Sequence, residues 1–258
     1  MVPDLRGPRA RLARAKEGLD NLTARVDAFI DDEPYRIDVE PADGPPGAVK
    51  ATLQVLKELP TDWELDVSEI GHHVRAALDN LVFQLALANR PEADQGRTQF
   101  PIFKDALDYT MRRGKRPSHR ASMLEGVSNG DRNIIDGLQP YQAGAQQAEQ
   151  HPLWLLKRIS DRDKHQVPHA ALAVVGQPYA ELTSRVMPNQ TIRLNFPPRV
   201  AEDGAELFQI APDASTGSEI GDIHADVVLV FGPYHVDVDD LDRLIQKVAR
   251  IIDRFDRP

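Results

Sequence analysis

The chain has 258 residues, 41% hydrophobic and 28% charged, a composition that can bury a core without metals or staples. A formal net charge of -9 sets the whole molecule against nucleic acid and anionic membranes, so contact with either needs a local basic patch. Cysteine is absent, which excludes disulfides, zinc ribbons and thiol nucleophiles. The apolar runs are too short to span a bilayer, and the basic opening MVPDLRGPRARLARAKEGLD lacks the apolar stretch of a signal peptide, so a cytoplasmic protein with no membrane partner is expected.

In chain order, residues 8 to 31 carry Leu12, Ala15, Leu19, Leu22 and Val26 at helical spacing. YRIDVEP alternates as a half-buried strand does, DGPPG reads as a turn, and VKATLQVL reads as a second strand, so residues 35 to 57 are expected to form a hairpin. The longest helix lies between Pro60 and Pro91. Residues 92 to 120 read as irregular and include FPIF and MRRGKRPSHR. A short helix is expected over residues 129 to 136, stopped near Gly137 and Pro140, and another over residues 152 to 167, ended by Pro168. Beyond it ALAVV, AELTSRV, TIRLNF, ELFQIA and ADVVLVF have strand composition, MPNQ reads as a hairpin turn, and DVDDLDRLIQKVARIIDRF closes the chain as an amphipathic helix with acidic residues at its start.

This order gives an α+β fold in a single domain over residues 1 to 258: a helical bundle over about 61 to 168, flanked by a mostly antiparallel β-sheet. The β-rich part covers about 169 to 232 together with the strands in 35 to 57, and helices over 8 to 31 and 238 to 255 lie at the termini.

Two helices carry a polar stripe. Trp154, Arg158, Asp161 and His165 recur at intervals that share one helical face, away from Leu155, Leu156 and Ile159. On the long helix His72, Arg75 and Asp79 point away from the main apolar face, yet that second side also holds Val82, Phe83 and Ala86. A helix apolar on nearly all sides is expected to be covered on nearly all sides, so these three residues are expected to be partly buried and paired. The partners expected are an Arg of the other helix for Asp79 and a His or Arg for Asp161. A structural ion-pair network is one reading of the stripes; a polar site containing His165, Arg158 and His72 is the other.

The segments HHVRAALDNLVFQLA and LWLLKRISDRDKHQ together resemble a group of uncharacterised actinobacterial and phage proteins with an LR-ALDHL helix and a later DKHR segment. The matching residues run from Val74 to Leu81 and from Asp163 to Gln166, with Asn80 where a His is usual and Gln166 where an Arg is usual. The chain also resembles HEPN domains, helical ribonucleases and nucleotide-binding modules of toxin and phage-defence systems. Active members carry an Arg, usually followed by a polar residue, and a His with four to six residues between the two. Arg158 and His165 have six residues between them, with Ile159 after the Arg. Arg162 and His169 have the same separation, with Asp163 in the polar slot and Pro168 interrupting the helix.

The HEPN resemblance implies a homodimer with the site at its interface and RNA or a nucleotide as partner. It also implies metal-independent cleavage with no cofactor. His165 would act as general acid or base and Arg158 would neutralise the phosphate, with Arg162 as the second candidate cation. Arg112, Arg113, Lys115 and Arg116 would draw in the acidic polymer; the alternative for this run is a solvated basic loop. Three functions therefore stand side by side: a HEPN-like ribonuclease or nucleotide-binding protein, a non-catalytic interaction protein with a buried ion-pair network, and a metal-dependent hydrolase using Asp161, His165, His72 and His73.

Overall fold

A computed structural model describes the chain apart from residues 93–95, 113, 115, 163–169, 175–178, 185–190, 197–198, 201–202, 212–217, 225–227, 232–235 and 257–258. The fold is α+β, in two compact units: Met1–Leu22 with Glu64–Pro168 and Val238–Pro258, and Thr23–Trp63 with His169–Asp237.

The first unit is helical. It contains the opening turns of α1 (Arg6–Asp31), then α2 (Trp63–Asn89), α3 (Ala106–Thr110), α4 (His119–Met123), α5 (Asn129–Asp136), a 3-10 turn (Pro140–Ala143), α6 (Ala145–Ala148), α7 (Pro152–Arg162) and α8 (Val238–Asp253). Four of these helices pack in a closed cycle. Gly18 of α1 lies against Ile70 of α2, and Gly71 of α2 lies against Ile159 of α7. Helix α7 packs on α8. Helix α8 returns to α1 through ion pairs of Arg9 with Asp253 and of Lys16 with Asp242. Leu12, Ala15, Leu19 and Leu22 of α1 are buried, as are Ile70, Val74, Leu78 and Leu81 of α2, Leu153 and Leu156 of α7, and Leu241, Leu244 and Val248 of α8. The spacing of these residues is the helical period read from the sequence.

Residues 92 to 120 are less irregular than expected. Asp105 caps α3 by accepting from the backbone N–H groups of Leu107 and Asp108, and Ser118 caps α4 by accepting from Ala121. Both helices have five residues, too few for an apolar period to show. Helix α5 has the expected bounds and starts from a Ser128 cap. The expected end of α7, its residues 163 to 167, lies outside the described residues.

The second unit holds the β-strands. β1 (Tyr35–Pro41) and β2 (Val49–Val55) form the expected hairpin, with Tyr35 opposite Val55 and Pro41 opposite Val49. Its turn contains Gly47 at φ 85°, a left-handed conformation that a side chain would strain. β7 (Glu206–Ile210) adds to β2. β3 (Ala170–Val174) lies between β6 (Arg199–Val200) and β9 (Val228–Phe231), and β4 (Tyr179–Ser184) lies between β5 (Thr191–Asn195) and β8 (Ser218–His224). Every pairing among the described residues is antiparallel. The MPNQ turn lies outside the described residues. β8 shows no alternation in sequence because its register shifts: Ile223 opposes Ala180 while Ile220 opposes Leu182, so an extra residue breaks the two-residue period. Trp63 is buried in this unit, edge-on to Phe29 at 5.3 Å. Among the described residues no helix is long and apolar enough to cross a membrane.

Two expectations follow. A Cβ at Gly71 would sit 2.7 Å from Ile159 Cγ2, a methyl on a branched and stiff side chain. Gly71→Ala should therefore lower the melting temperature despite its better helix propensity, since overpacking costs about 1–3 kcal/mol against about 1 kcal/mol gained. Gly71→Ala combined with Ile159→Ala should lose less than the sum of the two single variants; strict additivity would show that the contact does not limit helix approach.

The second expectation concerns acid. His151 accepts the Leu153 N–H on Nδ1 at 3.2 Å, at the start of α7. Burial, and then the charge of Lys247, hold its imidazole below the ordinary pKa. His73 is lowered as well, by burial first and then by His72, Arg14 and Arg11. The unfolded chain then binds protons more readily than the folded one, so stability declines as pH falls through about 6.5. His151→Ser, which offers a cap that does not titrate, should reduce the fall in melting temperature between about pH 7.5 and about pH 5. An unchanged pH profile would remove His151 as a source of acid sensitivity.

Candidate functional site

Arg75 and Asp79 stand one turn apart on α2, and the guanidinium meets the carboxylate at 2.8 Å, with a second contact of 3.0 Å from Nε. The same two side chains grip one peptide residue. Arg75 Nη2 donates to the Phe100 carbonyl at 2.8 Å, and Phe100 N–H donates to Asp79 Oδ1 at 2.8 Å. Arg75 and Asp79 are 19% and 34% exposed at the side chain, so solvent screens the pair only in part.

This clasp brings the 99–103 segment over the face of α2 and creates a cleft of about 290 Å³. Ser68 and His72 continue the α2 face by two turns, since Ser68, His72, Arg75 and Asp79 follow one another at intervals of four, three and four. Lys157, Ser160 and Asp161 line the cleft from α7. Gln99 enters from the loop, and Phe100, Ile102, Phe103 and Met123 supply an apolar side.

The sequence stripes meet here, but not as expected. Each acid is paired within its own helix: Asp79 with Arg75, and Asp161 with Lys157 at 2.8 Å, rather than across the helices. One-turn spacing already places a partner beside each carboxylate, which removes the need for one from the facing helix. His72 is exposed rather than partly buried, as is Phe83 at 38%, while Val82 and Ala86 are buried. The α7 face that meets the cleft is that of Lys157, Ser160 and Asp161. Arg158 does not line it and lies in the electrostatic neighbourhood of Glu149. Trp154 is half-buried beneath Lys104, whose ammonium is 5.3 Å from the ring centre.

His165, Arg113 and Lys115 lie outside the described residues, as does the side chain of Arg162. Arg112 and Arg116 are exposed. His72 and His73 have ring centres 5.9 Å apart, and among the described residues no group of three or more histidines and carboxylates converges as metal ligands would.

Sequence reasoning missed Ser68, Gln99, Lys157 and Ser160. Lys157, Ser160 and Asp161 share a helical face by spacing, so that signal was present but was assigned to the neighbouring stripe. Gln99 lies outside any helix or strand and carries no periodic signal.

The lining groups divide by what they are already doing. Arg75 and Asp79 hold Phe100, Lys157 and Asp161 hold each other, and the Ser160 hydroxyl donates to the Leu156 carbonyl at 2.9 Å. Among the described residues, the hydroxyl of Ser68, the imidazole of His72 and the carboxamide of Gln99 make no hydrogen bond. Comparison of the chain with protein-family models, curated proteins and solved structures finds no match.

Asp79→Ala would leave both the Phe100 N–H and the Arg75 guanidinium short of a partner. The expected loss is about 1–3 kcal/mol by urea unfolding, because groups left unsatisfied carry their desolvation cost. Asp79→Asn keeps an acceptor for the N–H and should lose less. Equal stability of wild type and Asp79→Ala would show that the clasp is incidental.

Proposed function

We propose that this protein binds a nucleotide or a short single-stranded stretch of RNA in the α2–α7 cleft, as a HEPN-like module. The observation that carries this reading is the set of polar groups, Ser68, His72 and Gln99, that bond no described residue, gathered in one cleft whose other described polar side chains are already satisfied. A concave site with a few convergent polar groups beside an apolar wall is the usual form of a small-molecule site. The four-helix cycle of α1, α2, α7 and α8 supports the likeness to helical HEPN modules.

In the catalytic form of this reading the scissile phosphate stays outside the cleft, which Arg158 does not line; Arg158 neutralises its charge and His165 takes the proton of the ribose 2′-hydroxyl. The 2′-oxygen bonds to phosphorus, the bond to the 5′-oxygen breaks, and that oxygen receives a proton. The products are a 2′,3′-cyclic phosphate and a 5′-hydroxyl.

A second reading, a non-catalytic interaction protein, draws support from the Arg75–Asp79 clasp, in which the charges of one sequence stripe hold a backbone segment.

The test is binding of fluorescently labelled single-stranded RNA and of ribonucleotides in the presence of EDTA, with products followed on denaturing gels. His72 is exposed and makes no hydrogen bond to a described residue, so His72→Ala should leave the melting temperature unchanged and weaken binding by about tenfold, the worth of roughly 1.4 kcal/mol. His165→Ala should abolish cleavage with the fold intact. Neither RNA nor nucleotide bound would overturn the proposal in favour of the second reading, and binding without cleavage would confine it to the non-catalytic form.

A further inference from the structure

The balance of charge inside the cleft bears on which part of a nucleotide it takes, an inference that rests on the nucleotide-binding reading above. Among the described residues, two cations line the cleft beside His72, and each faces a carboxylate: Arg75 with Asp79, Lys157 with Asp161, both at 2.8 Å. Arg75 is further bound to the Phe100 carbonyl. A phosphate seated among these groups would compete with two carboxylates for both cations and would meet the repulsion of each acid. Phosphate sites are ordinarily built the other way, with guanidinium or backbone donors unopposed by acids.

What the described lining offers instead is neutral. The Ser68 hydroxyl donates and accepts, the Gln99 carboxamide presents a carbonyl and an amino group, and the His72 imidazole has a nitrogen of each kind when uncharged. The Ser160 oxygen, whose proton is directed to Leu156, keeps acceptor capacity. Ile102, Phe103 and Met123 add an apolar part to the lining. Paired donors and acceptors together with an apolar surface match the edge and face of a heterocyclic base. The volume, about 290 Å³, stands at the small end of ligand sites, which run from about 300 to 1,000 Å³.

We infer that the cleft recognises the nucleobase with its sugar, a neutral polar ring system, and that the phosphates of the ligand remain outside it.

Calorimetric titration of the full chain with the four ribonucleosides and their 5′-monophosphates tests this, at about 50 and about 300 mM salt. At least one nucleoside should bind within about threefold of its monophosphate, and its affinity should change less than twofold with salt, because no counterions are displaced. Gln99→Ala and Ser68→Ala should each weaken that nucleoside by fivefold or more at unchanged melting temperature, and Gln99→Glu should alter which base is preferred. Monophosphates binding tenfold or more tightly than every nucleoside, with a steep salt dependence, would overturn the inference and leave the nucleotide-binding proposal standing. Nucleoside binding indifferent to Gln99→Ala and Ser68→Ala would also overturn it, by placing the base elsewhere. If RNA, nucleotides and nucleosides all fail to bind, both proposals fall together.

Discussion

The Arg75–Asp79 pair joins an ion pair to a backbone clasp: the carboxylate accepts the Phe100 N–H and the guanidinium donates to the Phe100 carbonyl. A segment without regular structure has no ladder to satisfy its peptide groups, and buried peptide groups must be satisfied somewhere. Two side chains one turn apart on α2 do this for Phe100, which is fully buried. The next residues are held from the opposite direction. Gln139, itself buried, donates to the Pro101 carbonyl and accepts from the Phe103 N–H, and the Tyr141 N–H donates to the Phe103 carbonyl. The apolar side of the cleft is thus an irregular strip pinned on both edges, and its position follows from these bonds rather than from a helix or strand of its own.

A second carboxylate organises the region beyond it. Asp136 accepts from the Tyr109 hydroxyl at 2.8 Å and from Arg120 through both Nε and Nη2. Tyr109 belongs to α3 and Arg120 to α4, so one acid ties together the two ends of the basic excursion that carries Arg112 and Arg116. Burial first, and then the bond to Asp136, push the Tyr109 pKa upward and keep its hydroxyl a donor. Phe103 stacks on Tyr109 with ring centres 5.2 Å apart, which links this knot to the cleft wall. Arg120, part of the basic run in the sequence, is therefore engaged inside the protein, whereas Arg112 and Arg116 are exposed.

The parts of the fold that were legible in the sequence are those with a repeating pattern or a strong stop or turn signal. Helices α1, α2 and α8 declare themselves because burial selects apolar residues at the helical period, α5 through the Gly137 and Pro140 that end it, and the β1–β2 hairpin through the DGPPG turn between two strand-like runs. β8 did not, since its bulge breaks that period, and α3 and α4 did not, since five residues hold barely more than one turn. The site was legible to the level of helices. The α2 stripe of His72, Arg75 and Asp79 does face a cleft, and Asp161 meets it from α7. The partner of each charge was not legible, because spacing shows which residues share a face and not whether an acid turns to its own helix or to its neighbour. Gln139 was invisible for a related reason, since its partners are non-local peptide groups that only the folded chain brings near, and Gln99 because it lies outside any periodic element.

Close approach and an open cleft coexist between α2 and α7 because of where the small residue sits. At Gly71 the missing side chain lets Ile159 press against the α2 backbone, which draws the helices together at that level. One residue further along α2, at His72, the face is polar, and on α7 the residues that follow Ile159 are Ser160 and Asp161. These side chains cannot interdigitate as apolar ones do without losing hydration, so the space beside the contact stays unfilled by the two helices themselves. An apolar residue at His72 or Ser160 would extend the packed seam and close that space. The cleft is therefore a product of sequence chemistry at the edge of a tight helix contact, bounded by the Phe100 clasp, and its described charges are matched before any ligand arrives.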